Sequence, residues 1–191
     1  MLAKNWKKEI WSIPNLLSIF RILLIPVYMH IYMNAEGSRD YAAAGVILAF
    51  GCLTDMADGY IARRFHMITN LGKVLDPLAD KLTQLSLFIC LSAHRRLLNY
   101  LLVIFLIKEF WQLFVMISAL RRGKALNGAL MSGKICTTVL FTSLGLMFVW
   151  PTMGDGLANA ITVVCFVFLM YAFTDYILAY FGKEKKIYDL E

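Results

Sequence analysis

Apolar residues run through this chain in blocks of about twenty, the length a helix needs to cross a bilayer, and not at the spacing of a one-sided soluble helix. The first block covers residues 13–33 and opens Ile13-Pro14-Asn15, with the proline in the first helical turn, where its missing N–H does no harm. Arg21 lies about two turns inside it. After a polar loop at 34–40, a second block begins near Tyr41. It is apolar over 42–54 and then carries Asp55 and Asp58 for two more turns. The link 64–71 leads to a third block that starts near Gly72, stays polar through Lys81 and is wholly apolar only over 85–93. A fourth block over 97–120 is broken at its middle by Lys108-Glu109, and a fifth over 129–150 has Lys134 in its first turns. A turn at 151–156, with one proline and two glycines, precedes the sixth, 157–181, which carries Asp175 in its last third. No alternating strand pattern appears, and an open sheet edge could not be satisfied in lipid. The pattern predicts an all-α, polytopic membrane protein with six transmembrane helices in one integral-membrane domain over 1–191. A short interfacial helix is expected over 1–11, where Lys4, Lys7 and Lys8 stand beside Trp6, Ile10 and Trp11.

Composition agrees: 60% of the residues are hydrophobic and only 17% charged, against about 25% in a soluble domain. A net charge of +6 raises the question of nucleic acid, but the distribution of the basic residues answers it. Thirteen of the nineteen fall on one side of the expected spans: Lys4, Lys7, Lys8, Arg63, Arg64, Lys73, Arg121, Arg122, Lys124, Lys134, Lys183, Lys185 and Lys186. Only Arg39, Arg95 and Arg96 fall on the other. The excess places both termini and the acidic motif at the cytoplasmic face of the membrane, with no call for a nucleic-acid partner. The four cysteines stand singly in apolar runs, without metal or disulfide spacing, and are expected as buried thiols.

The chemistry concentrates in Asp55, Asp58, Asp76 and Asp80. Carboxylates at membrane depth are costly and usually functional. Asp55 and Asp58 are i,i+3 and Asp76 and Asp80 are i,i+4, so each pair shares a helix face. From the connection at the helix ends, Asp58 and Asp76 lie about 6–7 Å in and Asp55 and Asp80 about 12 Å in. An antiparallel helix pair would therefore bring Asp58 level with Asp76 and Asp55 level with Asp80. Four anions at matched depths need neutralising cations or protonation of some of them, and hard divalent ions with oxygen ligands, Mg²⁺ or Mn²⁺, suit such a site. Gly59 and Ala62, with Ala57 and Ala79, leave space beside the carboxylates, while Arg63 and Lys73 stand at the mouth, placed for phosphate oxygens. A cation transporter using the same cluster would need polar residues along the outer halves of these helices, and 42–54 and 85–93 are almost wholly apolar.

The eight positions Asp55-x₂-Asp58-Gly59-x₂-Ala62-Arg63-x₈-Gly72-x₃-Asp76-x₃-Asp80 resemble the full signature of the CDP-alcohol phosphatidyltransferases. The opening Ile13–Arg21 is also similar to the start of the family's bacterial phosphatidylglycerophosphate synthases and cardiolipin synthases. The resemblance implies an enzyme of phospholipid biosynthesis in which an acceptor hydroxyl attacks the β-phosphorus of CDP-diacylglycerol and CMP leaves. It implies Asp55, Asp58 and Asp76 as ligands of two metal ions, with Asp80 reaching the second ion or acting as general base. Gly59, Ala62, Arg63 and Gly72 would contact the CMP part, and a homodimer is the family's usual state.

The acceptor is read elsewhere. Where the phosphatidylglycerophosphate synthases are expected to carry Arg-Glu-Phe in the fourth span and a second Arg seven residues after the Glu, this chain has Lys108-Glu109-Phe110 and Met116. Lys108, Arg121, Arg122 and Lys134 are the candidate acceptor-binding cations. The overall layout favours glycerol 3-phosphate, and the altered cations leave phosphatidylglycerol, the acceptor of a cardiolipin synthase, as the alternative. Lys108-Glu109 could equally be a structural ion pair, Arg21 could serve a neighbouring carboxylate or substrate, and Asp175 reads as a hydrogen-bonded structural acid.

Overall fold

A computed structural model describes residues 12–65, 69, 71–121, 124–126, 131–181 and 187–189. Six helices lie among them: α1 (Ile13–Met33), α2 (Ser38–Arg64), α3 (Gly72–Ser92), α4 (Arg96–Arg121), α5 (Met131–Val149) and α6 (Asp155–Phe181). They match the six expected blocks, with ends displaced by at most three residues. The expected interfacial helix over 1–11 lies outside the described residues. Two three-residue strands, β1 (Lys124–Leu126) and β2 (Ile187–Asp189), pair antiparallel, Ala125 opposite Tyr188, which the apolar pattern did not signal.

Five of the helices are long and apolar enough to span a membrane. The exception among the six is α3, whose 21 residues would reach about 31 Å but whose first ten include Lys73, Asp76, Asp80 and Lys81. The others present bare apolar surface: Leu23 is 62%, Val46 68% and Val167 58% exposed. A helix apolar on its outside as well as its inside belongs in lipid.

The chain divides into two compact units. One holds α1, α2, α3 and Phe148–Pro151, and the other holds α4, the rest of α5, α6 and the strands. In the first unit the buried stripe of α1 runs Pro14, Asn15, Ser18, Arg21, Ile25, Tyr28, Tyr32, steps of three and four that keep one face inward. Its far end is aromatic. Tyr32 stacks on Phe148 at 4.2 Å, Tyr28 meets the same ring edge-on at 5.8 Å, and the Tyr28 hydroxyl is hydrogen-bonded to Ser86 of α3. At the start of α2, Asp40 accepts the N–H groups of Glu36 and Gly37 at 3.0 and 3.2 Å, satisfying donors that would otherwise be orphaned.

In the second unit, Leu98, Leu101, Phe105, Lys108 and Val115 form the inward stripe of α4, and Ala158, Thr162, Cys165, Leu169, Ala172 and Tyr176 that of α6. These two helices pack on one another. None of the four cysteines is in a disulfide; Cys90, Cys136 and Cys165 are buried, as their apolar settings predicted, whereas Cys52 is only half-buried.

Candidate active site

The polar end of the α1 stripe organises the acidic motif. Asn15, Ser18 and Arg21 occupy successive turns on the face that lower down carries Ile25, Tyr28 and Tyr32. Burial of this face is nearly complete, with Asn15 1%, Ser18 0% and Arg21 5% exposed. Polar side chains so placed must find partners, and theirs are the motif on α2 and α3.

Arg21 bridges three of the four aspartates. One terminal nitrogen, Nη2, lies 2.6 Å from Asp55 Oδ1 and 3.4 Å from Asp58 Oδ2, and the other, Nη1, lies 2.6 Å from Asp80 Oδ1. The planar fork of a guanidinium reaches two helices at once, which a lysine's point charge could not do. Ser18 joins the remaining carboxylate, its Oγ 2.6 Å from Asp76 Oδ1 and 3.4 Å from Asp58 Oδ2. The expected levels are therefore present: Asp58 and Asp76 meet at Ser18, and Asp55 and Asp80 meet at Arg21.

One expectation is corrected. Depth along the helices suggested that α2 and α3 would face each other directly. Instead α1 packs along both, and among the described residues α2 and α3 have little contact with one another. Mutual repulsion of four carboxylates explains why donors from a third helix stand between them.

The start of α3 is fastened to α1 in the same way. The Asn15 amide donates to Thr69 Oγ1 at 3.0 Å, the Thr69 hydroxyl lies 3.1 Å from Asn15 Oδ1, and the Gly72 N–H donates to Thr69 Oγ1 at 2.9 Å. A Cβ at position 72 would lie 2.7 Å from Asn15 Oδ1 and 3.0 Å from Thr69 Oγ1. Glycine is thus needed there for close packing, whatever it contributes to a ligand.

Exposure differs across the cluster. Asp58 is buried and Asp76 half-buried, whereas the side chain of Asp55 is 42% and that of Asp80 54% exposed. The open side of the site is the Asp55–Asp80 side. Gly59 is half-buried one residue beyond Asp58, Ala79 is fully buried, and Ala57 is exposed. Among the described residues no three His, Cys, Asp or Glu side chains converge as a ready-made ligand set. The side chains of Ala62, Arg63 and Lys73 lie outside the described residues.

The candidate acceptor residues belong to the second unit. Lys108 is 2% exposed, with its Nζ 2.7 Å from Glu109 Oε1 and 5.7 Å from the centre of the Tyr176 ring, so its charge is already matched. Lys134 is exposed on α5. The Arg121 side chain and the whole of Arg122 lie outside the described residues. Asp175 is hydrogen-bonded, as expected, accepting from buried Ser132 at 2.5 Å.

The family model for CDP-alcohol phosphatidyltransferases matches residues 11–171, across both units. The chain belongs to that family. This CDP-alcohol phosphatidyltransferase is an integral membrane enzyme of phospholipid biosynthesis, so the transporter alternative falls away. It is 31% identical over 175 residues to a probable phosphatidylglycerophosphate synthase of Mycobacterium tuberculosis, covering 90% of this chain and 82% of that one. It is 35% identical over 129 residues to the CDP-diacylglycerol–glycerol-3-phosphate 3-phosphatidyltransferase of Pseudomonas fluorescens, covering 66% and 63%. A CMP-forming cardiolipin synthase of Streptomyces coelicolor is 35% identical over 116 residues, covering 60% and 54%.

Of the two readings of Arg21, the neighbouring-carboxylate one is what the structure shows, and the residue that the sequence reading missed is Ser18. The signal was present: in a helix otherwise apolar on its inward face, Asn15, Ser18 and Arg21 recur every third residue.

Proposed function

We propose that this enzyme transfers a phosphatidyl group from CDP-diacylglycerol to glycerol 3-phosphate, releasing CMP. The observation that carries the reading is the assembly of all four motif aspartates on one polar centre, open at Asp80. The likeness to phosphatidylglycerophosphate synthases over most of the chain supports the acceptor.

The donor set fits hard divalent ions. Every candidate donor in the cluster is an oxygen, and one guanidinium leaves four carboxylates with a net negative charge that divalent cations would offset. Asp55, Asp58, Asp76 and Asp80 would hold two Mg²⁺ or Mn²⁺ ions, which supply neutralisation of the diphosphate and of the departing phosphate. Asp80, the most exposed of the cluster, takes the proton of the acceptor hydroxyl as its oxygen bonds to the β-phosphorus and the bond to CMP breaks. Gly59, Ala62, Arg63 and Gly72 would contact the CMP part, as their places in the family signature imply, and Lys73 would hold phosphate oxygens. Lys108, Arg121, Arg122 and Lys134 would be the cations for the acceptor phosphate, Lys108 being the one already paired, with Glu109. The site faces the cytoplasm, by the distribution of basic residues, and the working form is a homodimer in a single 1–191 catalytic domain.

Phosphatidylglycerol is the second acceptor to consider, because Lys108 is buried and paired where a phosphate-binding arginine is expected. Purified protein given CDP-diacylglycerol and Mg²⁺ or Mn²⁺ should release CMP with glycerol 3-phosphate and much less with phosphatidylglycerol. The reverse preference would make it a cardiolipin synthase, and no release with any alcohol would overturn the reaction.

A further inference from the structure

We infer that Arg21 is a built-in counter-cation of the acidic centre, holding Asp55 and Asp80 until divalent ions displace it from them. The inference rests on the metal reading proposed above. Its starting point is the direct contact of Arg21 with Asp55 Oδ1 and Asp80 Oδ1, both at 2.6 Å, from a side chain only 5% exposed. A guanidinium at that distance and a divalent ion bound at about 2.0–2.6 Å to the same oxygens would stand as like charges only a few ångströms apart. The two oppose each other there even though each oxygen has a second lone pair.

Charge points the same way. Four carboxylates balance two divalent ions, and a guanidinium kept against two of those carboxylates would leave excess positive charge in a low-dielectric place. Displacement of Arg21 from Asp55 and Asp80 removes that excess and turns a cation toward the open side, where an anionic diphosphate would enter. Its Nε is buried with no hydrogen-bond partner, so the guanidinium is not fully satisfied where it stands. Arg21 is thus a positioning residue that acts through the carboxylates: it keeps three helices and three of the four anions assembled, and it competes with the ions that the anions are there to bind.

The test measures Mn²⁺ affinity, without lipid substrate, for the full-length wild type, Arg21→Gln and Arg21→Lys, together with thermal unfolding in EDTA and in saturating Mn²⁺. Arg21→Gln should bind Mn²⁺ at least about fivefold more tightly, the lower end of usual coupling between sites. It should unfold at lower temperature in EDTA, with the deficit shrinking in Mn²⁺. Arg21→Lys, which keeps the charge but cannot fork between two helices, should bind with intermediate affinity, and it stands as the test if Arg21→Gln does not fold. A residue that only braces the helices would lose Mn²⁺ affinity along with stability. Affinity at or below wild type in the folded variant therefore overturns the inference and leaves the metal reading intact. A wild type that binds no Mn²⁺ overturns both.

Discussion

Asp80 has a buried guanidinium on one oxygen and an open side, which is where the acceptor alcohol is proposed to enter. Removing its charge without changing its size separates the two roles. Asp80→Asn should lower CMP release by at least ~10²-fold, the usual contribution of a general base, while CDP-diacylglycerol binding changes little. Turnover within a few-fold of wild type would exclude the base role. Ser18 is a quieter case. Its hydroxyl is fully buried at 2.6 Å from Asp76, and a hydrogen bond to a charged group is worth about 1.5–3 kcal/mol. Ser18→Ala should therefore lower the unfolding temperature and slow turnover, both measurable on one detergent-purified sample.

At the scale of elements, α1 is the organiser. Its N-terminal half is polar on the inward face and its C-terminal half apolar and aromatic, so one helix serves both the site and the core. The junction with α3 depends on Gly72, where a methyl group would have to push Asn15 or Thr69 aside. Gly72→Ala should cost about 1–3 kcal/mol, as overpacking typically does. The loss should appear as a lower unfolding midpoint even without substrate. Equal stability with lost activity would instead assign Gly72 wholly to the ligand. The third helix differs from the other five: its first half carries the charges of the site, so it is less apolar than they are while having the length to cross.

Over the whole molecule, the first unit is completed by residues from far along the chain. Phe148, at the end of α5, is fully buried against Tyr28 and Tyr32. Phe148→Ala should destabilise by about 3–5 kcal/mol, the range for truncating a buried aromatic, and should reduce activity by loosening α1 rather than by touching substrate. The distribution of basic residues predicts the orientation. In a background lacking the native cysteines, a cysteine replacing Ser38 should react with an impermeant maleimide only from outside the cell, and one replacing Lys124 only from inside. Reaction of both from one side would reverse or break the proposed topology.

The six helices and the levels of the four aspartates follow from sequence because both are local. An apolar run of span length has few alternatives in lipid, and depth along a helix is residue number times a fixed rise. The family signature is local too, lying within 26 residues. What lies between the aspartates is not local. That Arg21 and Ser18, about thirty-five to sixty residues away in the chain, stand among them depends on α1 packing against both α2 and α3. Tertiary structure likewise decided that Lys108 is buried beside the Tyr176 ring, that Gly72 is needed for the approach of Asn15, and that Asp80 rather than Asp58 is open. Each depends on which faces meet, and helical periodicity names a face without naming its partner.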